Sequence, residues 1–332
     1  MYDVVTIGSA TRDVFVIPGE FEIEEGAKYK TGKAVCFSLG SKIDVPEIYY
    51  KTGGSAINAA VTFARQGLKT ACLAKIGNDS RGQSIRDRLK ETGVSDELVV
   101  VDKKRLTGYS IILTAEGNRT VLVHRGSTEY LCREEGIPLK NLKQTKWFYI
   151  SHLGGESSNI FSPLIQFASE NGIKVALNPG STQLKMGEKL YPYLDKVDVL
   201  ILNQEEASNL TGISYDKEEE IFAKLDNTVR GFLIMTKGSD GFTACDNKST
   251  YRAGVLKEPK YVDRTGAGDA FGSGTVSAII KEQSLDTALE TGSANATGVL
   301  AEWGANEGLL SADDDIYKFG KLNIEKANCK YD

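Results

Sequence analysis

The chain has 332 residues, 41% hydrophobic and 26% charged, with 40 Lys and Arg against 45 Asp and Glu for a formal net charge of −5. That composition suits a globular protein with a sizeable core and excludes recognition of nucleic acid through a basic surface. Two histidines exclude a histidine-based metal centre, and no apolar run is long enough to cross a bilayer.

The N-terminal "MYDVVTIGSATRD" is acidic and strand-like, unlike a signal peptide. Cys36, Cys72, Cys132, Cys245 and Cys329 form no C-x-x-C pair and read as reduced thiols, so a cytoplasmic protein without membrane contact is expected. Along the chain, "DVVTIG" (3–8), "KTACLAKIG" (69–77), "KWFYIS" (146–151), "GIKVALN" (172–178), "KVDVLILN" (196–203) and "GFLIMTKG" (231–238) predict buried strands. Residues 55–67, 81–93, 162–172 and 205–212 have helical periodicity, and glycines at 67, 93, 172 and 212 are placed to stop those helices. The alternation predicts an α/β fold, doubly wound, with a mostly parallel sheet flanked by helices.

Two stretches interrupt it. Residues 14–52 and 105–126 are strand-like without helices, and "AEGN" in the second is a hairpin signal. Both are expected to build a small β-sheet lid on a single domain spanning 1–332; ordinary edge hairpins are the simpler alternative. The tail after Asp313 is polar and expected to be peripheral.

The phrase "DRTGAGDAFGSG" (263–274) follows "VLKEPKYV" and leads into an apolar helical run, so a strand-to-helix junction is expected. Gly266, Ala267 and Gly268 would leave unpaired amides at a helix N-terminus, which suits an oxyanion or phosphoryl group. Asp269 in the same turn could take a proton from a hydroxyl attacking phosphorus. An Asp capping a glycine-rich helix is the bland reading of a bare G-x-G-D.

The whole phrase strongly resembles the C-terminal signature of the ribokinase-like carbohydrate kinases, the PfkB family. "GGSAINAAVTFARQGLKTACLAKIGND" (53–79) is similar to that family's N-terminal signature. The resemblance runs from about Asp3 to about Gly308. It implies the same fold with a β-lid, ATP and Mg²⁺ as cofactors, and a sugar or nucleoside as substrate. It assigns Asp269 as base and Gly266, Ala267 and Gly268 as anion hole. Asp13, Gly53, Gly54 and Asn58 would bind substrate, although on local grounds Asp13 reads as a turn cap and Asn58 as an ordinary helix residue. Asn203 and Glu206 would organise Mg²⁺ through water, with Glu205 a solvated first-turn acid. Thr236, Gly238 and Gly241 would meet the nucleotide, and Asn295 the adenine. Asp263 and Thr265, with carbonyls between Val299 and Gly304, match a monovalent-cation site of K⁺ type. Arg264 departs from the commoner Thr there and is expected to pair with a nearby acid.

An ATP-dependent sugar kinase of ribokinase or fructokinase type is therefore the leading expectation, with a nucleoside kinase as alternative. Arg119 and Arg125 on the lid could be the basic pair needed for a sugar already phosphorylated, with solvated lid arginines the alternative, and His152 stands where substrate contacts are expected or is a buried structural histidine. A nicotinamide oxidoreductase is excluded because "IGSATRDV" lacks G-x-G-x-x-G. A non-catalytic binding regulator on the same fold would lack the base or the hole. Exposed lid strands suggest a homodimer.

Overall fold

The computed structural model describes residues 1–29, 31–115, 118–132 and 139–328. Strand β1 (Tyr2–Ile7) leads into β2 (Thr11–Ile17), a hairpin of β3 (Glu22–Glu25) and β4 (Lys33–Cys36), then β5 (Glu47–Gly53) and helix α1 (Ser55–Arg65). Next come β6 (Thr70–Leu73), β7 (Lys75–Gly77), α2 (Ser80–Glu91), β8 (Val100–Asp102), β9 (Gly108–Ala115) and β10 (Asn118–His124). After α3 (Leu139–Leu142) run β11 (Thr145–Ile150), α4 (Phe161–Glu170), β12 (Lys174–Leu177), α5 (Ser181–Leu184) and α6 (Tyr191–Leu194). They are followed by β13 (Val199–Asn203), α7 (Gln204–Thr211), α8 (Glu218–Asp226) and β14 (Phe232–Thr236). The chain closes with β15 (Phe242–Cys245), β16 (Ser249–Ala253), α9 (Ala267–Ile280), α10 (Leu285–Leu300) and β17 (Glu325–Asn328).

Among the described residues a nine-stranded sheet has the order β17-β16-β15-β14-β13-β12-β11-β1-β6. It is parallel from β6 to β14 and antiparallel beyond. Side chains alternate across it. Val5 and Ile7 point into the core under α4 and α7, whereas Val4 packs with Phe63, Tyr149 and Phe271 under α1 and α9. The predicted α/β class and mostly parallel sheet hold. Gly67, Gly93, Gly172 and Gly212 all adopt positive φ just past helix ends. A second sheet, β10-β9-β2-β5, stands apart as the lid. No described helix is long and apolar enough to cross a membrane.

Three expectations change. The predicted strand 69–77 divides: β6 stays in the main sheet, while β7 leaves it to pair with β8. That departure buries Lys75 against Asp102 at 3.0 Å. "VLKEPKYV" forms no strand; it is an irregular segment whose Val262 amide bonds the Leu300 carbonyl at 2.8 Å. The tail is not merely peripheral, because β17 pairs with β16 and the Leu322 amide bonds the buried Glu290 at 3.1 Å. Residues 116 and 117 of the predicted "AEGN" turn, like Cys329, lie outside the described residues; Ala115 and Asn118 on either side are paired. Cys36, Cys72 and Cys132 are free thiols, and the Cys245 thiol donates to Asp226 at 3.5 Å.

Candidate active site

The first turn of α9 organises the site. Gly266 precedes it with φ 85°, and a Cβ there would lie 2.4 Å from the Ala305 Cβ, so only glycine fits both the conformation and the space. The Ala267 amide turns back to the Arg264 carbonyl at 3.3 Å. A Cβ at exposed Gly268 would meet nothing within 4 Å, which leaves that stretch of backbone open to an approaching group. A helix of 14 residues ending here presents the positive end of its dipole.

Asp269 is half-buried one position on. Desolvation raises its pKa, and a hydrogen bond from Asn58 opposes the rise. That bond runs from Asn58 Nδ2 to Asp269 Oδ2 at 2.8 Å. Asn58 Oδ1 accepts from Asn306 Nδ2 at 3.1 Å, and Asn306 also donates to the Thr52 carbonyl at 2.8 Å. Arg88 fixes the other end of Asn306, with Nε 3.2 Å from its Oδ1. The structure therefore places Asn58 beside the acid with both amide atoms hydrogen-bonded.

Asp13 lies within lid strand β2, not at the end of β1 where the sequence suggested it. It is buried, and desolvation raises its pKa against hydrogen bonds from Ser110 and Thr11. A Cβ at Gly53 would lie 1.8 Å from Asp13 Oδ2, and one at Gly54, with φ 93°, 2.5 Å from the Ser9 carbonyl. The glycine pair thus lets β5 close on β2 and sets Asp13 beside the start of α1. Ser9, Ser55 and Ser151 form a hydroxyl string there at 3.0 and 2.8 Å.

Beyond α9 a cavity of about 390 Å³ is lined by Thr236, Gly238, Gly241, Phe242, Leu256, Arg264, Ala267, Gly268 and Phe271. The structure thus brings Ala267 and Gly268 of the expected anion hole and the loop after β14 to one cavity, while Gly266 lies outside its lining. Arg264 is exposed there and has no carboxylate within ion-pair distance among the described residues, contrary to expectation. Asn295 does not reach the cavity: it is fully buried, donates to the Ala270 carbonyl at 2.8 Å and accepts from the Leu310 amide at 2.9 Å. Ser293, Ala296, Thr297 and Leu300 line the wall instead, at i, i+3, i+4 and i+7 on the other face of α10.

Asn203 and Glu206 form a reciprocal cap on α7, at 2.8 and 2.9 Å. Desolvation raises the Glu206 pKa, the Asn203 amide opposes it, and the charges of Glu205 and Asp269 raise it further. Asp263 is buried, accepts from the Thr265 amide at 2.9 Å and faces Arg119 at 3.9 Å. Arg125 faces Glu129 at 3.7 Å, so the two lid arginines do not pair. His152 is seated between glycines, since a Cβ at Gly180 would lie 1.9 Å from its Nδ1 and one at Gly154 2.9 Å from its Nε2.

Two side chains at the site escaped the sequence reading. Asn306 lies in a loop with no periodic signal. Tyr149 is fully buried in β11, where a Cβ at Gly272 would come within 3.0 Å of its hydroxyl. Desolvation and the nearby Asp269 charge raise the Tyr149 pKa. A tyrosine in the otherwise apolar run "KWFYIS" was the one available clue.

A family model described as pfkB family carbohydrate kinase matches residues 4–312. A ribokinase from Haemophilus influenzae is 28% identical over 275 residues, covering 80% of this chain and 86% of that protein. The structure of an Arabidopsis thaliana ribokinase complexed with ribose and ATP superposes with a TM-score of 0.77 at 20% identity, covering 96% and 98% of the two chains. That of a Burkholderia thailandensis nucleoside kinase in complex with inosine gives 0.75 at 20% identity, covering 95% and 97%.

Proposed function

The chain belongs to the pfkB family of carbohydrate kinases, and within it we propose that this ATP-dependent phosphotransferase acts on a hydroxyl of a free, unphosphorylated sugar. The observation supporting the chemistry is Asp269, half-buried in the first turn of α9 beside open Gly268 and held by Asn58 at 2.8 Å. Its carboxylate accepts the hydroxyl proton as the oxygen attacks the terminal phosphorus. The α9 N-terminus stabilises charge on the transferred group. Asp13 accepts from sugar hydroxyls, since an ionised carboxylate offers two acceptor oxygens. The apolar wall of the cavity, with Phe242, Leu256 and Phe271, takes the adenine.

The charges fit Mg²⁺ held through water. Glu205, Glu206 and Asp269 are mutually unfavourable acids, and no group of three ligating side chains among the described residues would bind a metal directly. Glu206 and Asn203 would orient that water shell, and the ion would screen the phosphate charge when bound.

The engagement of Arg119 with Asp263 and of Arg125 with Glu129 supports an unphosphorylated substrate, because each cation already faces an acid of the chain. A nucleoside is the second reading. Small Ser55 leaves room at the start of α1, and a neighbour of this fold binds inosine. An ATP-consumption screen against ribose, fructose, ketodeoxygluconate, fructose phosphates and common nucleosides tests this. Turnover of free sugars is expected; turnover of nucleosides alone would move the assignment to the second reading.

A further inference from the structure

Asp263 opens the turn that places Gly266 to Gly268, and its carboxylate is 5% exposed. A buried carboxylate keeps its charge only with a positive partner or a full set of donors. Its Oδ2 accepts the Thr265 amide at 2.9 Å, and its Oδ1 faces Nη1 of Arg119 at 3.9 Å. That guanidinium comes from the lid, on β10, where residue 119 stands opposite Thr114. Arg119 Nη1 and Thr265 Oγ1 are both buried without a hydrogen-bond partner, so the pair has room to tighten.

The surroundings do not suit a monovalent cation at Asp263. Among the carbonyls expected to complete such a site, that of Leu300 accepts from Val262 at 2.8 Å and from Asp263 at 3.4 Å. Those of Val299 and Gly304 accept from Glu302 at 3.2 Å and Glu307 at 3.4 Å. An ion at the carboxylate would also stand close to the like charge of Arg119, where burial weakens screening. Arg264, the other nearby cation, is exposed and lines the cavity.

We propose that Arg119 supplies, from the lid, the positive charge that Asp263 requires, so that a side chain rather than K⁺ positions the anion-hole turn and phosphoryl transfer is independent of monovalent cations. Arg119 is thus a positioning residue. The proposal rests on the kinase reading above.

The test compares wild type, Arg119→Lys and Arg119→Gln in buffer whose only monovalent cation is tetramethylammonium, with KCl titrated at constant ionic strength. Wild type and Arg119→Lys should respond less than twofold to KCl, in rate with the substrate from the screen and in melting temperature without it. Arg119→Gln should lose about tenfold in kcat and recover most of it with KCl, which a purely structural lesion would not do. Activation of wild type by KCl of fivefold or more would overturn the proposal, as would an Arg119→Gln enzyme as fast as wild type and indifferent to KCl. If no preparation transfers phosphate, the kinase reading fails separately. The melting curves then decide: KCl raising the midpoint of Arg119→Gln but not of wild type supports the proposal, and any other pattern refutes it.

Discussion

At Asp269, the proposed base, one hydrogen bond and partial exclusion of water act on the carboxylate in opposite directions. Replacing it with Asn should lower kcat by roughly 10²- to 10⁴-fold while leaving the KM for ATP nearly unchanged, because the side chain acts on the proton rather than on nucleotide binding. Asn58→Ala removes the bond that holds the Asp269 pKa down. In the proposed mechanism the base works ionised, so the acid limb of the kcat/KM profile should move to higher pH, with the alkaline side unaffected. Steady-state rates across pH check both. Asp269 and its glycines were legible in the sequence because helix turn, amides and acid are contiguous. The partners of Asn58 were not, since Asp269 lies 211 positions and Asn306 248 positions away. Only the folded chain brings three amide and carboxylate groups into that line.

Among the elements, α9 depends on the left-handed residue that starts it. Gly266→Ala should destabilise the protein by about 1–3 kcal/mol and depress activity by pushing the turn off Ala305, which denaturant unfolding and turnover would register together. The small pair β7–β8 depends on a buried ion pair instead. Lys75 and Asp102 side chains are 1% and 3% exposed at 3.0 Å. Asp102→Asn should cost about 3–5 kcal/mol, seen as a lower urea midpoint, because it takes a carboxylate away from the buried Lys75 ammonium, whose bond to the Tyr130 carbonyl at 3.0 Å remains. Burial alone would raise the Asp102 pKa, but the amide of Lys104, the Lys75 ammonium and the Arg105 amide outweigh it and hold it well below the usual range. A depressed carboxylate stabilises above its unfolded pKa of about 3.9 and loses that contribution as pH falls toward its folded value. The variant should therefore show a flatter stability profile below about pH 4. Hydrophobic period located β1, β11 to β14, α1, α2, α4 and α7 within a few residues, yet it passed over β15 to β17, α8 and α10 and read β6 and β7 as one strand. A continuous apolar run does not reveal where a chain changes sheets. Nor did it show that α10 turns Ser293 and Thr297, not Asn295, toward the cavity.

Across the whole molecule, the loop 301–309 packs against the second sheet. Trp303 stacks on Tyr49 at 5.1 Å and lies 5.6 Å from Phe15, and Lys51 bridges to Glu307 at 3.2 Å. The chain has two tryptophans, and Trp147 is buried in the main core. In a Trp147→Phe variant, sugar binding should shift Trp303 emission as the lid strands settle. An unchanged spectrum at saturating sugar would mean that the lid does not move against this loop. The two-sheet division was foreshadowed by strand-like stretches without helices. Their attachment was not, because it depends on contacts between distant, unpatterned residues. Asn306 sits in this same loop, gripping Thr52 on the lid side and Asn58 on the other. A water molecule would not draw the lid strands onto that loop as a sugar would, so idle enzyme should burn little fuel.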